Sequence, residues 1–406
     1  MSSTRHAPPG ADPDDSNERY LASARLKGIA VGTNIVARVA RVRTERERNA
    51  MLWLCGYARL RDLTADALTV ELDMDRAEIR RALTDPEADL TRFVEKVEAL
   101  RATFEDYLNA TPEARDFKLI GQFDKALCEL ADTKVRRKIA NACKMALEKA
   151  QIIEITGKTQ QGKSIGARNE YLHNLHRAAW ITAWGKTEKD WYQCLAEGLG
   201  VWLGNNTKTS DARPRILSCL GPNRINLLFI DEAHRLWPRD LTTEPSRIEF
   251  LRDLWELHGV SIIILATPQY SEMLSRAMNN NPQWAPGQWV GRVQTFPLAD
   301  TMSEADLAAI ALHHAPGARK DVVDQLVKGA LSSEGYAGSM VKVIERAMFK
   351  ARVESGDGEA TMGLLTVDLV KEAQRALERD ARVATIKGHV KLKQKGKLFS
   401  IEGEAA

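Results

Sequence analysis

The sequence contains no C-x-x-C pair and only five cysteines, Cys55, Cys128, Cys143, Cys194 and Cys219, scattered along 406 residues. That pattern excludes a disulfide framework and a cysteine zinc cluster, and it reads as reduced thiols of a cytosolic chain. No apolar run approaches the roughly 18 residues that a membrane-spanning helix requires, and the N-terminus has no apolar signal core, so neither membrane insertion nor export is expected. A charge excess of one sign is also missing. The 58 Lys and Arg nearly balance the 55 Asp and Glu, leaving +3, which identifies no partner until the charges are located along the chain. No Ser-His-Asp or Cys-His constellation stands out, and no internal repeat or long low-complexity tract interrupts the chain.

One stretch carries specific chemistry. The apolar, β-branched run from Ile152 to Thr156 reads as a buried strand, and a helical pattern follows from Ser164 to Leu175. Between them lies Gly157-Lys158-Thr159-Gln160-Gln161-Gly162-Lys163-Ser164, the spacing G-x-x-x-x-G-K-[ST] in the strand-loop-helix setting that gives it meaning. Phosphate oxygens need several donors converging from one side. A glycine-containing loop supplies them as backbone N–H groups from Gly157 through Ile165, and the helix start adds partial positive charge. Lys163 is expected to reach the terminal phosphates of ATP, and the Ser164 hydroxyl to take a Mg²⁺ position.

Around this stretch the chain divides by composition and periodicity. At 406 residues it exceeds one ordinary core. Residues 1–48 read as a disordered, basic arm: Pro and Asp come first, then Arg38, Arg41, Arg43, Arg46 and Arg48 interleave with Ile and Val. From about residue 25 it is either a phosphate-binding arm or an amphipathic helix that pairs with Glu45 and Glu47. Residues 49–110 form helices, and within them Leu63–Leu72 and Asp75–Leu83 flank the short break Asp73-Met74. That is the outline of a helix-turn-helix, with Ala67, Leu72, Ile79 and Leu83 as its small core and Arg76, Arg80 and Arg81 facing outward toward DNA. An ordinary helical bundle with an arginine face fits the same residues. Residues 111–150 read as a helical linker, 151–300 as alternating strands and helices of a mostly parallel α/β sheet, and 301–380 as an all-helical lid. The 381–406 tail is basic, either a binding strand pair or a solubilising end. Lys208, in the polar loop 204–210, is a further candidate for DNA contact.

Other residues gain meaning from the phosphate loop. The apolar run Ile225–Ile230 ends in Asp231-Glu232-Ala233-His234, which places Asp231 to hold Mg²⁺ with Ser164 and Glu232 to act on the attacking water. Thr267, ending the next strand, is either a hydrogen-bonding group for the γ-phosphate or water, or part of a Thr-Pro turn. Arg292, before the last strand, is either a surface residue or an arginine offered to a neighbouring subunit's nucleotide, with Arg252 and Arg276 as rivals.

In this order, the glycine loop, Ile-Asp-Glu-Ala-His, Ala-Thr-Pro-Gln, Gly291-Arg292 and a helical end resemble the AAA+ superfamily. Within it the chain is similar to transposition regulators of the Mu B-protein, TnsC and TniB type, over about residues 118–380 and most strongly from Ile152 to Gln269. The resemblance implies an ATPase that assembles as a ring or filament on double-stranded DNA and recruits or stimulates a transposase. A sensor or defence NTPase gating another effector protein shares every one of these motifs. A DEAH-box helicase does not fit, because the residues after Gln269 do not provide a second RecA-like domain. The segment Gly338-Ser339-Met340-Val341-Lys342 lacks the arginine that many AAA+ proteins use as a second sensor, leaving Lys342 or Arg346 as substitutes.

Overall fold

Five short runs rich in β-branched and apolar residues form a sheet: β1 (Ile152–Thr156), β2 (Ala178–Thr182), β3 (Leu227–Asp231), β4 (Ser261–Ala266) and β5 (Val293–Pro297). The computed structural model describes residues 31–109 and 130–380, apart from 32, 62, 185–186, 202, 205–206, 222–223, 239–242, 281–283, 300, 333–335 and 356–364. The strand order is β2-β3-β4-β1-β5 and every neighbouring pair is parallel, with Thr156 opposite both Ala266 and Pro297 and Thr182 opposite Asp231. Parallel strands need long crossovers, and helices supply them. They are α7 (Lys163–His173), α8 (Glu188–Leu199), α9 (Thr209–Leu217), α10 (Ser246–His258), α11 (Pro268–Asn280) and the short α12 (Pro286–Val290). Helices on both faces explain why β4 is buried along its whole length and why its sequence reads as a continuous apolar run.

Contacts divide the chain into two units, Met1–Cys128 with Val135–Lys158 and Lys163–Leu298, and Glu129–Lys134 with Thr159–Gly162 and Ala299–Ala406. In the first unit the sheet is preceded by α1 (Thr33–Ala40), α2 (Glu45–Leu60), α3 (Ala65–Leu72), α4 (Arg76–Thr84), α5 (Thr91–Asn109) and α6 (Lys134–Lys149), the last of which begins at the unit boundary. The basic arm expected over 1–48 is folded from residue 33 onward. Val36 and Ala40 bury an apolar stripe, Arg43 donates to the Asp85 and Ala88 carbonyls at 2.9 and 2.8 Å, and Arg46 pairs with Glu98. Those arginines staple helices together. Residues 1–30 of the arm, the linker over 110–129 and the basic tail 381–406 lie outside the described residues.

The helix-turn-helix outline is present as two short helices. Asp73 closes α3 with a left-handed backbone (φ 47°), and Asp75 caps α4 in a reciprocal box with Glu78, so only Asp73, Met74 and Asp75 separate the two. Leu72, Ile79 and Leu83 are buried beneath the turn, as expected, and Ala67 is half-buried. These helices share one continuous core with the sheet domain. Gly56 of α2 sits so close to Leu175 that a Cβ there would meet its carbonyl oxygen at 2.7 Å, and Arg59 reaches the Tyr171 hydroxyl at 3.4 Å. The second unit is helical after residue 299 among the described residues: α13 (Glu304–His314), α14 (Lys320–Leu331), α15 (Tyr336–Ser355) and α16 over 367–380. Its buried Leu307, Val322, Leu326, Met340, Ile344 and Val370 recur at helical spacing.

Candidate nucleotide-binding site

The C-terminal ends of β1, β4 and β3 lie side by side and deliver the glycine loop, Thr267 and Asp231 to one edge, the position where open parallel sheets bind ligands. The loop is pinned at its start by Gly157 N–H donating to the Ala266 carbonyl at 3.3 Å. Gln160 and Gly162 turn it with φ of 63° and 82°, and a Cβ at Gly162 would meet only open space. Gly162 is glycine because of its backbone angle. Helix α7 then starts at Lys163, where its first N–H groups have no partner within the helix.

Lys163 is 8% exposed, and its Nζ donates to the carbonyls of Gly157 and Lys158 at 2.6 and 2.5 Å. Burial lowers its pKa from 10.5 to about 8, against the opposing pull of Asp231 and Glu232. The Ser164 hydroxyl donates to Asp231 Oδ1 at 3.2 Å, and the Glu232 N–H donates to the same oxygen at 2.9 Å. Burial raises the Asp231 pKa, and these two hydrogen bonds counter it. Glu232 adopts a left-handed backbone (φ 55°, ψ 40°), a conformation that costs a non-glycine residue on the order of 1–3 kcal/mol and persists only when its surroundings enforce it. The chain continues as a 3₁₀ turn over Ala233–Leu236, with Arg235 N–H on the Glu232 carbonyl at 3.0 Å and His234 Nδ1 3.4 Å from Glu232 Oε2.

These residues fit a Mg²⁺-bound nucleotide. A hydroxyl and a carboxylate already converge as hard oxygen donors, and a buried ammonium has loop carbonyls where phosphate oxygens would compete for it. Thr267 stands between the loop and Asp231 at the end of β4, and its carbonyl accepts from Tyr270 N–H at the start of α11. The loop's central residues belong to the second unit. There Gln161 donates to the Ala299 carbonyl at 2.8 Å, and a Cβ on Gly338 would lie 2.7 Å from Gln160 Oε1. Of the proposed second-sensor substitutes, Arg346 pairs with Asp380 at 2.6 Å and Lys342 lines a groove of about 690 Å³ among α14, α15 and α16.

Other candidates stand apart from this cluster. Arg292 is held within its own subunit, with Glu256 at 2.5 Å, the Gln288 carbonyl at 2.5 Å and the Trp255 ring 5.8 Å away. Arg252 is paired with Glu249 at 2.5 Å, while Arg276 is exposed on α11. Arg76, Arg80 and Arg81 are exposed on α4, with Arg81 3.4 Å from Asp85, and Lys208 is exposed as the residue before α9. One residue beside the acidic motif escaped the sequence reading, Arg247, buried in the first turn of α10. A signal was available, since an arginine in a first helical turn opposes the helix dipole and here sits among Ile248, Phe250 and Leu251.

A family model described as "AAA domain" matches residues 145–274. This region has the P-loop AAA fold. No curated protein matches the chain. Among solved structures, the RuvB Holliday junction branch migration motor of Thermotoga maritima is 14% identical with a TM-score of 0.37, over 60% of this chain and 68% of that one. NtrX from Brucella abortus in complex with ATP is 14% identical with a TM-score of 0.42, over 78% and 70%, and its complex with ADP is 15% identical with a TM-score of 0.43, over 77% and 74%. The matched residues comprise β1 to β4, the glycine loop and the acidic strand end, with β5 beyond the match, in a P-loop AAA fold with helical regions before and after it.

Proposed function

We propose that the protein is an ATPase that uses Mg²⁺, assembles into an oligomer on double-stranded DNA and serves as a target-selecting, transposase-activating regulator. The observation that carries the ATPase reading is the 3.2 Å approach of Ser164 to Asp231 beside the buried Lys163 ammonium. Those two oxygens would hold Mg²⁺, which when bound neutralises phosphate charge. Backbone N–H groups from Gly157 through Ile165, those of Lys158, Thr159, Gln160 and Gln161 among them, orient the phosphates, and Lys163 exchanges its loop carbonyls for their oxygens. Glu232 aligns the attacking water and accepts its proton, and Thr267 hydrogen-bonds the γ-phosphate or that water. In the assembled state Arg292 leaves Glu256 and serves a neighbour's site.

The DNA-binding part of this reading is supported by the exposed arginines on α4 and the tight α3–α4 turn, and the transposase by the resemblance in motif order. Phosphate contacts from such a helix make affinity fall steeply with salt. The test is ATP turnover per subunit across protein concentration, with and without duplex DNA. Turnover should rise with both, and substituting Arg76, Arg80 and Arg81 by Glu should abolish the DNA effect while leaving nucleotide binding intact. Turnover that stays flat against both concentration and DNA rules the assembly model out.

A further inference from the structure

Against the turn that follows Glu232 lies a buried cation for which nucleotide chemistry has no direct use. Arg247 is 7% exposed, and its Nη1 and Nη2 donate to the carbonyls of Arg235 and Thr187 at 2.9 and 2.7 Å. Neither acceptor is charged. Burying a guanidinium without a hydrogen-bonded carboxylate is unfavourable, and placing it in the first turn of α10 sets it against the helix dipole. Packing alone would be served by an apolar side chain.

The two carbonyls indicate what the arginine does. Thr187 is the N-cap of α8, fixed in a reciprocal box with Asp190. Arg235 belongs to the 3₁₀ turn that begins at Glu232, and its N–H donates to the Glu232 carbonyl at 3.0 Å. A continuous hydrogen-bonded path therefore runs from the Glu232 backbone through the turn to Arg247 and into the rigid start of α8. The Glu232 side chain does not cap the turn it begins, so beyond its own N–H bond to Asp231 the left-handed Glu232 is held through that turn, which Arg247 grips at the Arg235 carbonyl. We propose that Arg247 is a positioning residue that locks the turn after the acidic motif and so fixes the direction of the Glu232 carboxylate. The inference rests on the role given to Glu232 under Proposed function. A forked guanidinium reaches both carbonyls at once, whereas a lysine ammonium in the same place reaches one.

The test uses the full-length protein with Arg247→Lys and Arg247→Gln, each also combined with Glu232→Gln. Steady-state turnover is measured with duplex DNA, affinity with a fluorescent ATP analogue and Mg²⁺, and folding by circular dichroism. Arg247→Gln is expected to lower kcat by about 10- to 100-fold, as loss of alignment by about an ångström does, and Arg247→Lys by less. Affinity should change by less than about threefold, and the double variants should turn over no more slowly than Glu232→Gln alone, the non-additivity expected when one residue acts through another. Unchanged kcat, affinity falling in step with kcat, or losses that multiply with Glu232→Gln would each overturn the positioning role. If the Gln variant does not fold, the Lys variant decides by the same readings. A wild-type protein that hydrolyses no ATP would remove the function reading itself, whereas an active wild type with an unaffected Arg247→Lys removes this inference alone.

Discussion

Replacing Lys163 with methionine should stabilise the nucleotide-free protein while abolishing its response to ATP. The ammonium is buried against two carbonyls, and a pKa of about 8 in place of 10.5 means that keeping it charged in the fold costs up to about 3 kcal/mol. Solvent reaching the loop reduces that figure to roughly 1–2 kcal/mol, and the donor lost to the buried Gly157 carbonyl takes back about 1 kcal/mol. For a chain of 406 residues a net gain of up to about 1 kcal/mol corresponds to a Tm higher by up to about 1–2 °C. The pH dependence identifies the cause. A lysine held below its unfolded pKa destabilises the fold fully below about pH 8, and the effect fades as the pH rises toward 10.5. The Tm difference between variant and wild type should therefore shrink over that window. ATP with Mg²⁺, at about 100 times its Kd, should stabilise the wild type by about 2.7 kcal/mol and the variant not at all. Thermal melts from pH 7 to 10.5 with and without nucleotide measure both effects. A variant less stable than wild type at pH 7 would mean that the ammonium anchors the loop, and a retained ATP shift would mean that nucleotide binds elsewhere.

Further outcomes follow from the same geometry. Glu232→Gln should leave affinity for ATP and Mg²⁺ intact and lower single-turnover hydrolysis by about 100-fold or more, since it removes a base and keeps the backbone; equal loss of binding would refute the role. Arg292→Ala should erase the rise of turnover with protein concentration yet shift Tm little, because a half-exposed ion pair with Glu256 contributes about 1 kcal/mol or less. An unaltered concentration dependence would leave Arg292 as a surface strut. Gly198→Ala should destabilise by about 1–3 kcal/mol in urea unfolding, because its Cβ would lie 2.5 Å from the Trp180 carbonyl and 2.1 Å from Ile181 Cδ1; a neutral result would show that α8 can shift away from β2.

Local pattern was enough to locate the strands and the phosphate loop. The runs at 152–156 and 261–266 read as strands because β-branched and apolar residues fill every position but Glu154 and Ser261, and glycine at 162 announces a backbone angle that other residues resist. Helix boundaries were readable where a capping residue marks them, as at Asp75 and Gly259. The arm was less legible, because interleaved arginines and valines fit a free cationic segment as well as a packed helix. Only the acceptors offered by Asp85, Ala88 and Glu98, about 40 residues or more away, decide between them.

The sequence by itself determined where the glycine loop lies between its strand and its helix, since spacing within one strand-loop-helix is a local property. The tertiary structure decided that Ser164 meets Asp231 across an intervening strand, that Arg292 rests on Glu256, and that Arg247 supports the turn after Glu232. Each of those contacts joins residues at least a dozen positions apart, and their formation depends on strand order and helix packing, which no short window of sequence encodes.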